Sequence, residues 1–410
     1  MYQHKPHQRG VRKSFAHGAH VRRTPGHFGG SRSRGSFQRK RGGGEFIHPS
    51  KFVNKAVITE ETENFVPEHQ FSDFQIHEDL KKAVIAKGYV TPTPIQDRAI
   101  PHILKGEDMV GIANTGTGKT GAFLIPLIHK VLLNRNESVL IVVPTRELAI
   151  QIREELYGFT KGMGIYSVCV VGGAAIAAQI RDLRYRNNFV IGTPGRIKDL
   201  IERGKIHTKN FNTIVLDEAD RMLDMGFIND MRYLMEGMPK GRHTLFFSAT
   251  VSPTIEGLIK EFLREPVRIS VKVGDTAKNV DQDVVPVKGG QKFDILHELL
   301  NQKEFTKVLV FGRTKHGVEK LSKMLSARGV KTDAIHGNKS HPQRQRALAN
   351  FKGNRVQVLV ATDVAARGLD IDDISHVINY DLPMTYDDYV HRIGRTGRAN
   401  KKGKALTFVE

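Results

Sequence analysis

The sequence predicts an α/β protein: two tandem parallel-sheet domains joined by a hinge and preceded by a disordered basic tail. Three observations carry this. From residue 71 onward, short apolar runs rich in β-branched residues alternate with helical patterns, as in parallel sheets covered by helices. The runs form two series, separated by residues 271–280 with their Gly274-Asp275-Thr276 turn. Residues 1–50, rich in Gly, Arg, His and Ser, show neither a helical nor a strand period.

Each element follows from its own residues. The segments 139–143, 168–171, 189–191, 213–216 and 244–247 are nearly continuous apolar runs and read as buried parallel strands. A helical stretch such as 147–159 separates them. A second series starts near Val284 and continues through 308–311, 332–335, 356–360, 376–380 and 405–409. The resulting division is a tail and acidic lead-in over 1–70, a first domain over 71–270, a linker over 271–280 and a second domain over 281–410. The tail cannot bury enough apolar surface to offset its ordering entropy. Its six histidines lack metal-ligand spacing.

Charge narrows the function classes. The net charge is +20, and residues 1–55 hold thirteen Lys/Arg against one acid, Glu45. That segment therefore carries +12 and the other 355 residues +8. Such a field attracts polyanions, nucleic acid first, because phosphate neutralisation releases condensed counterions. Phe15, Phe28 and Phe37 lie between the tail's charges, where they could stack on bases. An arginine-rich, acid-poor segment also suits a transit peptide, although its glycines argue against one. No stretch approaches the ~18 apolar residues of a membrane span, and no apolar N-terminal core marks a secretory signal. Cys169 is the only cysteine, so an intrachain disulfide is excluded, and its apolar run suggests a buried strand thiol.

Two motifs define a triphosphate site. Ala113-Asn114-Thr115-Gly116-Thr117-Gly118-Lys119-Thr120 has phosphate-loop spacing. Its glycines let the backbone curl so that N–H groups face phosphate oxygens, and the helix beginning near Lys119 adds its positive end. Lys119 is expected on the β- and γ-phosphates and Thr120 on Mg2+. Asp217-Glu218-Ala219-Asp220 ends the apolar run Ile214-Val215-Leu216. There Asp217 is placed to hold the metal, and Glu218 to act as general base or to orient the attacking water. Alone, the acidic quartet would read as a solvated strand end.

Together these motifs make the chain resemble the DEAD-box ATP-dependent RNA helicases, over residues 71–410 and about a dozen ordered motifs. The resemblance implies two RecA-like domains, with ATP and Mg2+ as cofactors. Gly88-Tyr89-Val90-Thr91-Pro92-Thr93-Pro94-Ile95-Gln96, with Phe71 upstream, matches the family's glutamine motif. Gln96 is then expected to read the adenine edge, and Tyr89 to stack on the base. Ser248-Ala249-Thr250 is implied to couple hydrolysis to RNA through Asp220; its hydroxyls could instead cap a helix. In His391-Arg392-Ile393-Gly394-Arg395-Thr396-Gly397-Arg398, Arg395 and Arg398 are implied to be arginine fingers, and His391 to bridge to the acidic motif. Asp370 is expected on the ribose.

The implied RNA track grips the sugar–phosphate backbone. It comprises Thr145, Arg146, Gly172, Gly173, Thr193 and Arg196 in the first domain. The second domain contributes Arg313, Thr314, Thr362, Asp363 and Arg367. Each alone could be a turn or cap residue. The sequence departs from its relatives at Gly312, where a larger residue is usual, and at His341, where glutamine is usual. Within these residues a terminal helix of many relatives has no counterpart. The expectation is a cytoplasmic monomer that binds single-stranded RNA and short duplexes. It would unwind them locally or remodel RNA–protein assemblies, ribosomal ones foremost. An ATP-gated RNA clamp and a tail-driven annealing protein are the rival readings.

Overall fold

A computed structural model describes residues 48–54, 65–114, 116–271, 280–366, 371, 373–397 and 403–409. The expected tail disorder, most of the expected linker, and Thr115, Arg367, Asp370 and Arg398 lie outside the described residues.

The first lobe is a seven-stranded parallel sheet in the order β3-β4-β2-β5-β6-β1-β7. Its strands are β1 (Met109–Ile112), β2 (Val139–Val142), β3 (Ser167–Val170), β4 (Phe189–Gly192), β5 (Thr213–Leu216), β6 (His243–Ser248) and β7 (Val267–Ser270). The helices that matter for the site are α2 (Pro94–Lys105), α3 (Lys119–Leu133), α4 (Arg146–Thr160), α6 (Pro194–Glu202) and α7 (Ala219–Asp224). β2, β4 and β5 are buried along their whole length, as their unbroken apolar runs require. β6 shows how one strand feeds two layers. Leu245 and Phe247 pack into one core cluster and Phe246 into the other, the period-two alternation of a strand with helices on both faces.

The second lobe is a six-stranded parallel sheet in the order β10-β11-β9-β12-β13-β8. It contains β8 (Val280–Pro286), β9 (Val308–Phe311), β10 (Thr332–Ile335), β11 (Val358–Ala361), β12 (His376–Asn379) and β13 (Gly403–Val409). On β9, Leu309 and Phe311 face one cluster while Val308 and Val310 face the other. The helices α11 (Lys315–Ala327), α12 (His341–Lys352), α13 (Asp363–Ala366) and α14 (Tyr386–Ile393) carry its motif residues. Gly312 has a packing reason: a β-carbon there would stand 2.8 Å from Val318 Cγ2 on α11. Cys169 is only half-buried on the edge strand β3, and burial pushes its thiol up to about 11.

One segment departs from expectation. Residues 49–54, read as part of the tail and lead-in, form a turn (Pro49–Phe52) and an antiparallel bridge to β8, with Phe52 buried in the second lobe.

Candidate nucleotide and RNA site

The motifs sit at the carboxyl ends of parallel strands, where open α/β sheets present their ligand sites. β1 runs into the phosphate loop, and the Ala113 N–H donates to the Ser248 carbonyl (3.0 Å), which ties the loop's start to β6. Gly116 and Gly118 adopt φ of 83° and 95°. Lys119, 6% exposed, turns its ammonium back onto the Ala113 carbonyl at 2.8 Å. The Thr117 hydroxyl donates to the Asn114 carbonyl (2.8 Å), and Thr120 is half-buried in the first turn of α3.

The glutamine motif braces this loop. Gln96, buried on α2, donates from Nε2 to the Gly118 carbonyl and accepts the Thr93 N–H on Oε1, both at 3.0 Å. The amide expected on adenine is thus engaged with the loop and with its own helix start. The Tyr89 hydroxyl donates to Glu155 Oε1 (3.0 Å), and burial beside that carboxylate raises its pKa well above the ordinary value. Phe71 is 1% exposed and meets the Tyr89 ring edge-on at 5.4 Å.

Beyond β5, Asp217 is 2% exposed and accepts the Glu218 N–H (2.9 Å). Burial pushes its carboxyl up to about 6; the Lys119 ammonium pulls the other way, and Glu218 adds to the rise. Glu218 has φ 54°, a left-handed conformation that costs a non-glycine residue roughly 1–3 kcal/mol and is held only where the surroundings over-determine it. Its Oε2 accepts from Arg221 Nη1 (3.0 Å). Its Oε1 is buried without a hydrogen-bond partner. Arg221, itself 2% exposed, is a residue that motif reading overlooks; a charge three residues into a buried acidic turn was the available signal. Asp220 ties this turn to β6. Its Oδ2 accepts from the N–H groups of Ala249 (3.1 Å) and Thr250 (3.0 Å) and from the Thr250 hydroxyl (3.1 Å). The Ser248 hydroxyl closes the segment onto the Thr250 carbonyl (2.8 Å).

Among the described residues, no group of three or more His, Cys, Asp or Glu side chains could hold a metal unaided. The donors available are hard oxygens: the Asp217 carboxylate, the Thr120 hydroxyl and the orphaned Glu218 Oε1. That set fits Mg2+, which keeps waters and takes phosphate oxygens rather than an all-protein cage.

Along the track, Thr145 caps α4 by accepting the Leu148 N–H (3.3 Å). Arg146 lies across the glycine pair. A β-carbon at Gly173, where φ is 74°, would stand in its guanidinium, and Gly172 leaves 3.5 Å. Thr193 precedes α6, and Arg196 is held by Gln179 Oε1 (3.0 Å) and the Ala174 carbonyl (3.3 Å). In the second lobe the Arg313 N–H donates to Asp381 Oδ2 (2.7 Å), while Thr314 caps α11 through the Gly317 N–H (2.9 Å). Thr362 is buried ahead of α13.

Asp363, expected on RNA, is paired within its own lobe. Both its oxygens accept from Arg392, at 2.5 and 2.8 Å, which fixes α14. A carboxylate so engaged, and of the wrong sign for phosphate, serves better as an anchor. His391 lies in the last turn of this helix and Arg395 just beyond it, with Arg395 Nε donating to the His391 carbonyl (3.3 Å). One further contact joins the lobes: Glu147 Oε2 on α4 and Arg344 Nη2 on α12 pair at 2.7 Å.

Comparison with known proteins agrees with this layout. The family model for DEAD/DEAH box helicase matches residues 93–258, and that for Helicase conserved C-terminal domain matches 291–400. The chain is 46% identical over 343 residues to ATP-dependent RNA helicase CshA of Listeria monocytogenes, covering 83% of this chain and 66% of that protein. It is 45% identical over 341 residues to DEAD-box ATP-dependent RNA helicase CshA of Bacillus subtilis, covering 83% of this chain and 69% of that protein. It thus spans about two thirds of the length of these relatives. Among solved structures, Dbp5 of S. cerevisiae bound to RNA and ADP BeF3 matches with TM-score 0.74 and 30% identity, covering 83% of this chain and 89% of that one. With both lobes, their motifs and these identities in agreement, the chain belongs to the DEAD-box family of ATP-dependent RNA helicases.

Proposed function

We propose that this chain is an RNA-stimulated ATPase that grips the RNA backbone, parts short duplexes locally or remodels RNA–protein complexes, and releases RNA after hydrolysis. The observation that carries this reading is Glu218: a strained, buried carboxylate with one oxygen unpartnered, next to Asp217 and three residues from Arg221. A protein holds such a group where it has a task.

In this reading residues 71–270 bind ATP and 281–410 complete the site. Lys119 exchanges the Ala113 carbonyl for β- and γ-phosphate oxygens. Thr120 and Asp217 would hold Mg2+, which would supply neutralisation of phosphate charge. Glu218 Oε1 orients the attacking water and accepts its proton. Arg395 and Arg398 approach the γ-phosphate from the second lobe, a contribution worth ~10³–10⁵ in rate for such fingers. Tyr89 and Gln96 face adenine, and Asp370 the ribose. Thr145, Arg146, Gly172, Gly173, Thr193 and Arg196 carry RNA phosphates with Arg313, Thr314, Thr362 and Arg367. Asp220 relays the state of the acidic turn to Ala249 and Thr250. The chain acts as a cytoplasmic monomer on RNA, ribosomal assemblies included. No helix of the described residues is long and apolar enough to cross a membrane.

The test is Glu218→Gln. RNA-stimulated ATP turnover should fall at least a hundredfold, on the order of a lost general base, with ATP and RNA still bound. Full turnover in this variant would refute the assignment. Strand separation and ATPase measured on one short duplex distinguish a helicase from an ATP-gated clamp.

A further inference from the structure

Residues 49–54 are built into the second lobe rather than left at its margin. The turn at Pro49–Phe52 is started by His48, whose Nδ1 accepts the Ser50 N–H (3.3 Å). Phe52 is 1% exposed and shares a core cluster with Val280, Phe311, Tyr389 and Ile393. Its ring centre lies 4.7 Å from that of Tyr389, tilted by 59°. Two residues later the Asn54 N–H donates to the Gln282 carbonyl (3.0 Å) and the Gln282 N–H returns the bond (2.7 Å). Gln282 lies on β8, the edge of its sheet, and its Oε1 accepts from the Tyr389 hydroxyl at 2.9 Å. The segment therefore holds Tyr389 twice, by the ring through Phe52 and by the hydroxyl through Gln282. The Lys51 ammonium adds a contact 5.5 Å from the Tyr386 ring.

Tyr386 and Tyr389 are three residues apart on one face of α14. The same helix is clamped at its far end, where Arg392 meets Asp363, and it ends at Ile393, two residues before Arg395. Aromatic anchors at one end and a bidentate ion pair at the other determine how the helix lies, and so where Arg395 starts. A displacement of about 1 Å in such a group can cost a large factor in rate.

We propose that residues 49–54 form a strap that is a working part of the second lobe, with Phe52 a positioning residue for α14 and the arginines it presents to the nucleotide. This rests on the reading of Arg395 given above.

The test uses the full chain with Phe52→Ala, Asn54→Pro (which removes the bridging N–H) and Phe52→Leu as the conservative variant. Three quantities are read: kcat and ATP KM with saturating RNA, affinity for fluorescent ADP, and hydrogen–deuterium exchange over residues 386–397. F52A and N54P are expected to lower kcat about tenfold, to speed exchange in α14 and to leave ADP affinity, a property of the first lobe, unchanged. F52L should recover most of the loss. Unchanged exchange in α14 in either folded variant overturns the strap. So does a fall in kcat matched by an equal fall in ADP affinity, since that marks general destabilisation. An unsubstituted chain that turns over no ATP with RNA overturns the functional reading instead, while faster α14 exchange in the variants would still support the strap.

Discussion

Gly118 is held at φ 95° with Gln96 Nε2 only 2.6 Å from where its β-carbon would stand, so both backbone and space require glycine. Replacing it with alanine must expel the Gln96 amide or unwind the loop, and the left-handed conformation alone costs a non-glycine residue roughly 1–2 kcal/mol. Gly118→Ala is therefore expected to weaken binding of fluorescent ADP by tenfold or more, at about 1.4 kcal/mol per decade. Gln96→Ala keeps the glycine and loses only the brace, so its effect should be several-fold smaller. Equal affinity for G118A and the unsubstituted chain in a titration would show that close approach is not what the loop needs. Motif reading identified the residue types here but not their contacts. Phe71 is a core residue behind Tyr89, Asp363 belongs to Arg392, and Arg221 under Glu218 belongs to no expected role. Each role depends on a neighbour distant in sequence or hidden by folding.

At the scale of the element, β12 carries a pH dependence unrelated to the site. His376 is 3% exposed, stacks 3.9 Å from Phe305 and has no partner for Nε2. Burial drives its pKa from 6.5 to about 4, with the Lys404 charge acting in the same direction. The unfolded chain takes up a proton near 6.5, whereas the folded chain resists until about 4. Between these values the unfolded state binds more protons, so stability is greatest above the upper one and falls as pH drops toward the lower. His376→Phe preserves a ring on Phe305 and should flatten that part of the thermal-midpoint profile; superimposable profiles would rule burial out as the cause. The strands readable from sequence include those buried throughout, such as Val139–Val142 and Val308–Phe311, and also the half-buried β3 and β10, whose runs keep enough apolar residues to be seen. β7 escapes because Val-Arg-Ile-Ser is a half-exposed edge, whereas β1 is legible only as the strand that leads into the phosphate loop, its apolar run broken at Gly111, a gap that Phe247 fills. The strap escapes for a related reason: Phe52 is a single apolar residue in a polar stretch, and only the fold supplies its partner Tyr389.

At the scale of the whole molecule, the Glu147–Arg344 pair is one contact, among the described residues, that joins the two lobes. It is short, 2.7 Å, and its side chains are only 3% and 11% exposed. Around it the charges do not balance. Burial holds the Arg146 pKa below its usual range, the Arg344 and Arg196 charges lower it further, and Glu147 is the carboxylate opposing them. Three guanidiniums face two carboxylates, Glu147 and the Asp199 that lies 3.6 Å from Arg196, which leaves a cationic excess between expected RNA contacts on α4 and α6 and a helix of the other lobe. A backbone phosphate bound there would offset the repulsion and favour lobe association, which ties RNA binding to closure without base recognition. His341, at the start of α12, has Nδ1 buried without a hydrogen-bond partner, and Arg344 one turn on is the group that pairs with Glu147. Removing one member of a buried pair strands the other, at about 3–5 kcal/mol in a fully buried setting. Glu147→Ala and Arg344→Ala should each cut the cooperativity between AMP-PNP and RNA, read as the ratio of RNA Kd without and with nucleotide, by roughly ten- to a hundredfold. Affinity for nucleotide alone should stay unchanged, because neither residue touches the phosphate loop. The exchanged pair Glu147→Arg with Arg344→Glu restores attraction with reversed polarity and should recover part of the ratio, the coupling term of a double-mutant cycle. If both single variants keep the full ratio, the contact is incidental to closure and the cationic junction must act through RNA alone.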